Sequence, residues 1–139
     1  GVELLGKELI STKSPGVARK ILASYLKDEN HIVRANAAKV IYSIDSEYAL
    51  NFLDKMMDDD DSWMRVSGAR VLGQIGSPEA TRILIKHLID SDYNVKRMIL
   101  LSLKKIIDFD SRKKGFSPEI IEEIKKSLKN IQFVEGWVV

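Results

Sequence analysis

Asp59-Asp60-Asp61-Ser62-Trp63-Met64-Arg65-Val66-Ser67-Gly68-Ala69-Arg70-Val71-Leu72-Gly73-Gln74-Ile75-Gly76 is the stretch that decides the fold. It opens on carboxylates and then carries apolar or small residues at Met64, Gly68, Ala69, Leu72 and Ile75. That recurrence places five side chains on one side of a helix beginning near Ser62. Gly76 follows the last apolar position and reads as a stop, because glycine enters the left-handed conformation without penalty. Moving outward by 31 residues in either direction returns the same phrase. Val33, Met64 and Val95 fall in register, each followed by a base: Arg34, Arg65 and Lys96. Five residues before each apolar position stands an aspartate: Asp28, Asp59 and Asp90. The register continues through Ala38, Ala69 and Leu100, then Ile41, Leu72 and Leu103, then Ile44, Ile75 and Ile106. It also holds for Leu26, Met57 and Leu88.

Each unit predicts a second helix. Ser77 is a natural cap and Pro78 suits a first helical turn, so this helix is expected to run from Pro78 to about Leu88. Ala80, Ile83, Leu84, His87 and Leu88 have the spacing of one buried stripe. The small residues at 37, 38, 68 and 69 let neighbouring helices approach closely.

The phrase of aspartate, Met64-Arg65, Ala69, Leu72-Gly73, Ile75-Gly76 and then Ala80 resembles HEAT repeats, in particular the short variety of phycobilisome lyases. The resemblance is clear over roughly residues 14 to 107 and looser on both flanks. It implies an all-α fold of the HEAT/ARM-like class, an α-α superhelix, that is, a right-handed solenoid of antiparallel helix pairs. It further implies that the Val-Arg helices line the concave side. Asp28, Asp59 and Asp90 with Arg34, Arg65 and Lys96 would form a ladder between successive repeats. The physical reading agrees: a charge repeated once per unit beside a packed stripe meets its neighbour when units stack. These six positions are therefore structural.

The whole of residues 1–139 reads as one repeat domain. Its units are a partial one over 1–13, then 14–44, 45–75 and 76–107. Leu4, Leu5, Leu9 and Ile10 belong to a helix whose beginning is missing, which predicts a piece of a longer chain or a processed product starting at a cleavage-derived glycine. Ser117-Pro118-Glu119 echoes Ser77-Pro78-Glu79 at a spacing of 40, nine more than the period. The extra residues 108–116 read as a polar loop holding Phe109 and Phe116, either a binding insertion or a surface loop with its aromatics tucked onto the last helix. A terminal helix is expected over 117–129, with Ile120, Ile121, Ile124 and Leu128 on its apolar side. The apolar tail 130–139 either packs back as a cap or begins another repeat.

Composition removes several functional classes. The 139 residues are 45% apolar and 30% charged, suited to a globular domain and not to a disordered chain. With no cysteine there is no thiolate metal site or cysteine nucleophile. No apolar run approaches the ~18 residues of a membrane span, and a cytoplasmic setting is expected. The net charge of +2 conceals segregation: residues 45–61 hold seven acids against Lys55 alone, while 95–139 hold ten bases and six acids. Asp58 to Asp61 lack the alternating spacing, central glycine and closing glutamate of a calcium loop, and read as a turn at a helix start. His31 and His87 have no matching third ligand, and His87 falls on a packed stripe. No phosphate loop, nucleophile elbow or zinc-binding His-Glu pair occurs, so no catalytic residue, cofactor or metal is predicted.

The candidate surface is the side of the first helices that faces away from the stripe. It holds Ala35, Asn36, Lys39 and Tyr42 in the first row, and Val66, Ser67, Arg70 and Gln74 in the second. The third row contributes Arg97, Met98, Leu101, Lys104 and Lys105. Such a basic face suits an acidic peptide or a phosphate backbone. Trp63 reads as a contact anchor or as a cover over the repeat edge. The expected function is a non-catalytic scaffold for a protein partner, as a module of a larger assembly. The alternative is a nucleic-acid-binding or enzyme-associated role, like that of DNA glycosylases or bilin lyases built on related helices.

Overall fold

A computed structural model of the protein describes residue 20, residues 22–110, residue 112 and residues 115–129. The partial unit expected over 1–13 and the apolar tail over 130–139 lie outside the described residues. Among the described residues there are six α-helices and no strand: α1 His31–Tyr42, α2 Ser46–Met56, α3 Ser62–Ile75, α4 Pro78–Lys86, α5 Tyr93–Lys105 and α6 Pro118–Lys129. The all-α, HEAT-like helix-pair architecture is therefore present. The chain divides between Val71 and Leu72 into two compact units.

In the first unit a 3-10 turn, Tyr25–Lys27, leads into the hairpin of α1 and α2, followed by the start of α3. Each helix begins where a short polar side chain takes over otherwise unsatisfied backbone N–H groups. Asn30 Oδ1 accepts from Ile32 N at 2.9 Å and Val33 N at 3.2 Å, and Asp45 Oδ1 accepts from Tyr48 N at 3.1 Å. The core is built from Leu22, Leu26, Ile41, Leu53, Met57 and Met64, with Ala35, Ala37 and Ala38 buried between them. Three buried alanines on α1 mean that this helix is packed on more than one side, at a separation only small side chains permit.

The second unit contains the end of α3, then α4, α5 and α6. Gly76 has φ 64°, the left-handed conformation, and its N–H closes on Leu72 O at 3.0 Å. Ser77 Oγ then accepts from Ala80 N at 3.1 Å, and Pro78 occupies the first turn. Leu72, Leu84, Ile99, Leu103, Ile106 and Ile124 are fully buried. Thr81 joins them because its hydroxyl donates to Ser77 O at 2.9 Å, which satisfies the one polar group it carries inward. At Gly73 an added Cβ would lie 2.4 Å from Ser102 Oγ and 3.0 Å from Ser102 Cα, so the absence of a side chain sets how closely α3 and α5 meet.

Two boundaries differ from the sequence reading. The helix beginning at Pro78 ends at Lys86, and His87–Ile89 tighten into a 3-10 turn. Residues 108–116 are not a loop throughout, because Ile106–Asp110 prolong α5 as a wide π-helical turn. The reason is positional. Ile107 stands where the previous row has Gly76, so nothing terminates the helix in a left-handed turn. Phe109 is 73% exposed on this extension and is not tucked away.

Candidate interaction surface

The row-opening turns are built the same way three times. Asp28 Oδ1 accepts from Asn30 N, Asp59 Oδ1 from Asp61 N and Asp90 Oδ1 from Asp92 N, each at 2.8 Å. The residue two further on then caps the helix: Asn30 for α1, Asp61 through Trp63 N at 2.9 Å for α3, and Asp92 through Val95 N at 3.1 Å for α5. The repeated aspartate thus folds its own turn. The base that follows ties that turn to the helix: Arg34 Nε donates to Asp28 O at 2.9 Å, and Arg65 Nη1 to Asp59 O at 2.7 Å and Asp60 O at 3.2 Å. Between rows, Arg34 Nη1 lies 3.8 Å from Asp59 Oδ2. Lys96 is exposed in the third row.

In the first unit α1 and α3 are joined by polar contacts outside the apolar core. His31 Nδ1 is hydrogen-bonded to Ser67 Oγ at 2.5 Å, and Arg70 Nη2 donates to Asn36 Oδ1 at 3.3 Å. The His31 ring stacks on Trp63, with centroids 6.2 Å apart and planes inclined by 28°. Lys39, Tyr42 and Arg70 are half-buried. Ala35 and Ser67, which the sequence places on the open side, are buried, Ser67 because its hydroxyl serves His31. The pairs lie 36 and 34 residues apart, slightly more than one period, so adjacent helices meet offset by about one turn. That offset is a signal the register alone does not display.

In the second unit Gln74, Arg97, Leu101 and Lys104 are half-buried and Lys105 is exposed. Lys104 Nζ is 2.8 Å from Asp108 Oδ2, an i,i+4 pair that spans the junction of α5 with its π-helical extension. Gln74 Oε1 is buried and accepts no hydrogen bond among the described residues.

Large apolar side chains stand in solvent at the first turns of the three row-opening helices: Ile32 at 49% exposure on α1, Trp63 at 53% on α3 and Tyr93 at 59% on α5. Ile89, in the turn before α5, is 90% exposed. Sequence reasoning singled out Trp63 but not the others, since an isolated apolar residue in a polar stretch has no periodicity to reveal its surroundings. Among the described residues no helix is long and apolar enough to cross a membrane.

Two family profiles match the chain. One described as HEAT repeats covers residues 2–69, and one described as PBS lyase HEAT-like repeat covers residues 64–90. No curated protein matches it. Period, helix pairs and profiles agree, and the chain belongs to the HEAT-repeat proteins.

Proposed function

We infer that the protein is a non-catalytic binding scaffold, a HEAT-repeat module that offers a helical surface to a protein partner within a larger protein or complex. The observation that carries this reading is the exposure of Ile32, Trp63 and Tyr93 at the opening turns of α1, α3 and α5. Single exposed apolar residues are ordinary, but large ones that return at the opening turns of the row-opening helices, Ile32 and Trp63 in register and Tyr93 one position earlier in its row, are what interaction surfaces present. Each unit also carries partly exposed polar side chains on these helices: Lys39, Tyr42 and Arg70 in the first, and Gln74, Arg97, Lys104 and Lys105 in the second. A nucleic-acid role has less support, because Arg70 is bonded to Asn36 and Lys104 to Asp108 instead of standing free for phosphates.

The reading is tested by affinity capture from a cell lysate with the wild-type protein, Trp63→Ala and Ile32→Asp. A protein recovered with the wild type and lost with either variant supports it. Undiminished recovery overturns it. So does affinity for a labelled DNA duplex that falls steeply with salt and disappears when Lys39, Arg70 and Lys104 are changed to glutamate.

A further inference from the structure

The first unit combines an exposed aromatic with exposed carboxylates. Trp63 presents one ring face to His31 and remains 53% exposed, while Ile32 follows His31 directly and is 49% exposed. Around these side chains lie the two turns that open α1 and α3. They hold Asp28, Glu29 and the four aspartates 58–61, with Lys27 the only base. The guanidinium groups nearest in sequence are engaged: Arg34 with Asp28 O and Asp59, Arg65 with the carbonyls of Asp59 and Asp60. Asp59 points one carboxylate oxygen at a backbone N–H and the other at Arg34. Glu29, Asp60 and Asp61 are exposed, and none of them makes an ion pair with a described residue. Asp61 is held against the indole's own backbone, through its 2.9 Å bond to Trp63 N.

We propose that Trp63 and Ile32 form a docking patch for a basic, partly apolar segment of a partner protein, whose arginine or lysine lies on the free face of the indole with Asp60, Asp61 and Glu29 as counter-charges. The assignment rests on the scaffold reading above and adds the chemistry of the partner. Tryptophan is the aromatic that holds a cation best, and an indole with one face covered by another ring is pre-oriented to present the other. Fixed carboxylates beside that face raise the local preference for a cation and oppose an acidic peptide or a phosphate backbone. The apolar part of the segment covers Ile32.

The test uses fluorescence anisotropy of the whole chain with two labelled nine-residue peptides that share the same leucines, one carrying three arginines and the other three glutamates. The arginine peptide is expected to bind and the glutamate peptide not to. Trp63→Ala weakens binding about 10-fold and Trp63→Phe less, on the scale of a cation–aromatic contact. The pair Glu29→Lys and Asp60→Lys, neither of which caps a helix, weakens it by about as much and steepens no unfolding transition. Circular dichroism melts of each variant confirm that the fold is retained. Arginine-peptide binding that is unaffected by Trp63→Ala, or equal binding of the glutamate peptide, overturns the proposal. If neither peptide binds while a partner is still captured through Trp63, the proposed chemistry is wrong and the scaffold reading survives.

Discussion

The second and third rows, Asp59 to Gly76 and Asp90 to Ile107, open alike and end differently. Both begin with an aspartate that accepts from the N–H two residues on, and with a second aspartate that caps the helix. The base that follows is Arg65 in one row and Lys96 in the other. Only the arginine has a planar fork suited to several carbonyl oxygens, and Arg65 bonds two of them while Lys96 is exposed. At the far end Gly76 turns the chain at φ 64° directly into α4, whereas Ile107 lets α5 run on into the π-helical turn that carries Phe109 outward. A repeat array tolerates divergence at such positions because each unit needs only its stripe to pack against its neighbours.

The two rows touch at Gly73 and Ser102. Gly73→Ala places a methyl 2.4 Å from Ser102 Oγ and close to the α5 backbone, so the gain in helix propensity is overwhelmed. A loss of about 2–3 kcal/mol of stability is expected, read from the midpoint of urea unfolding. If Gly73→Ala is neutral, the close approach of α3 to α5 is not what the glycine serves.

The row-opening turns allow a sharper contrast. Arg65→Ala removes charge-assisted bonds to the Asp59 and Asp60 carbonyls and is expected to cost about 1.5–2 kcal/mol. Lys96→Ala, at the same register position, should cost less than about 0.5 kcal/mol. Parallel thermal melts of the two variants decide the matter, and equal shifts would remove the distinction between the rows. A smaller effect than that of Arg65→Ala belongs to the helix stop. Gly76→Ala forces a β-carbon into the left-handed region at a cost of about 1 kcal/mol, and Gly76→Asn, which tolerates that region better, should cost less. Calorimetry that found alanine and asparagine equivalent would show that the turn relaxes out of this conformation.

Much of the architecture is legible in the chain itself. Ser62 and Pro78 start helices where capping and proline rules put them, and Gly76 ends one where glycine's conformational freedom predicts. The interaction surface is less legible. Ser67 reads as a solvent-facing polar residue because it lies off the apolar stripe, yet it is buried by a bond to His31. Arg34 and Arg65 read as partners for carboxylates, but both also donate to main-chain oxygens, which carry no residue-type signature.

The 31-residue rhythm, the helix pairs and the capped starts follow from local chemistry, since period, propensity and turn geometry involve neighbours within a few positions. The stack of His31 on Trp63, the burial of Ser67 and the exposure of Ile32 and Phe109 depend on contacts from which no periodic pattern can be read. Those contacts exist only once helices one period apart are brought together with an offset of about one turn, a geometric quantity set by packing.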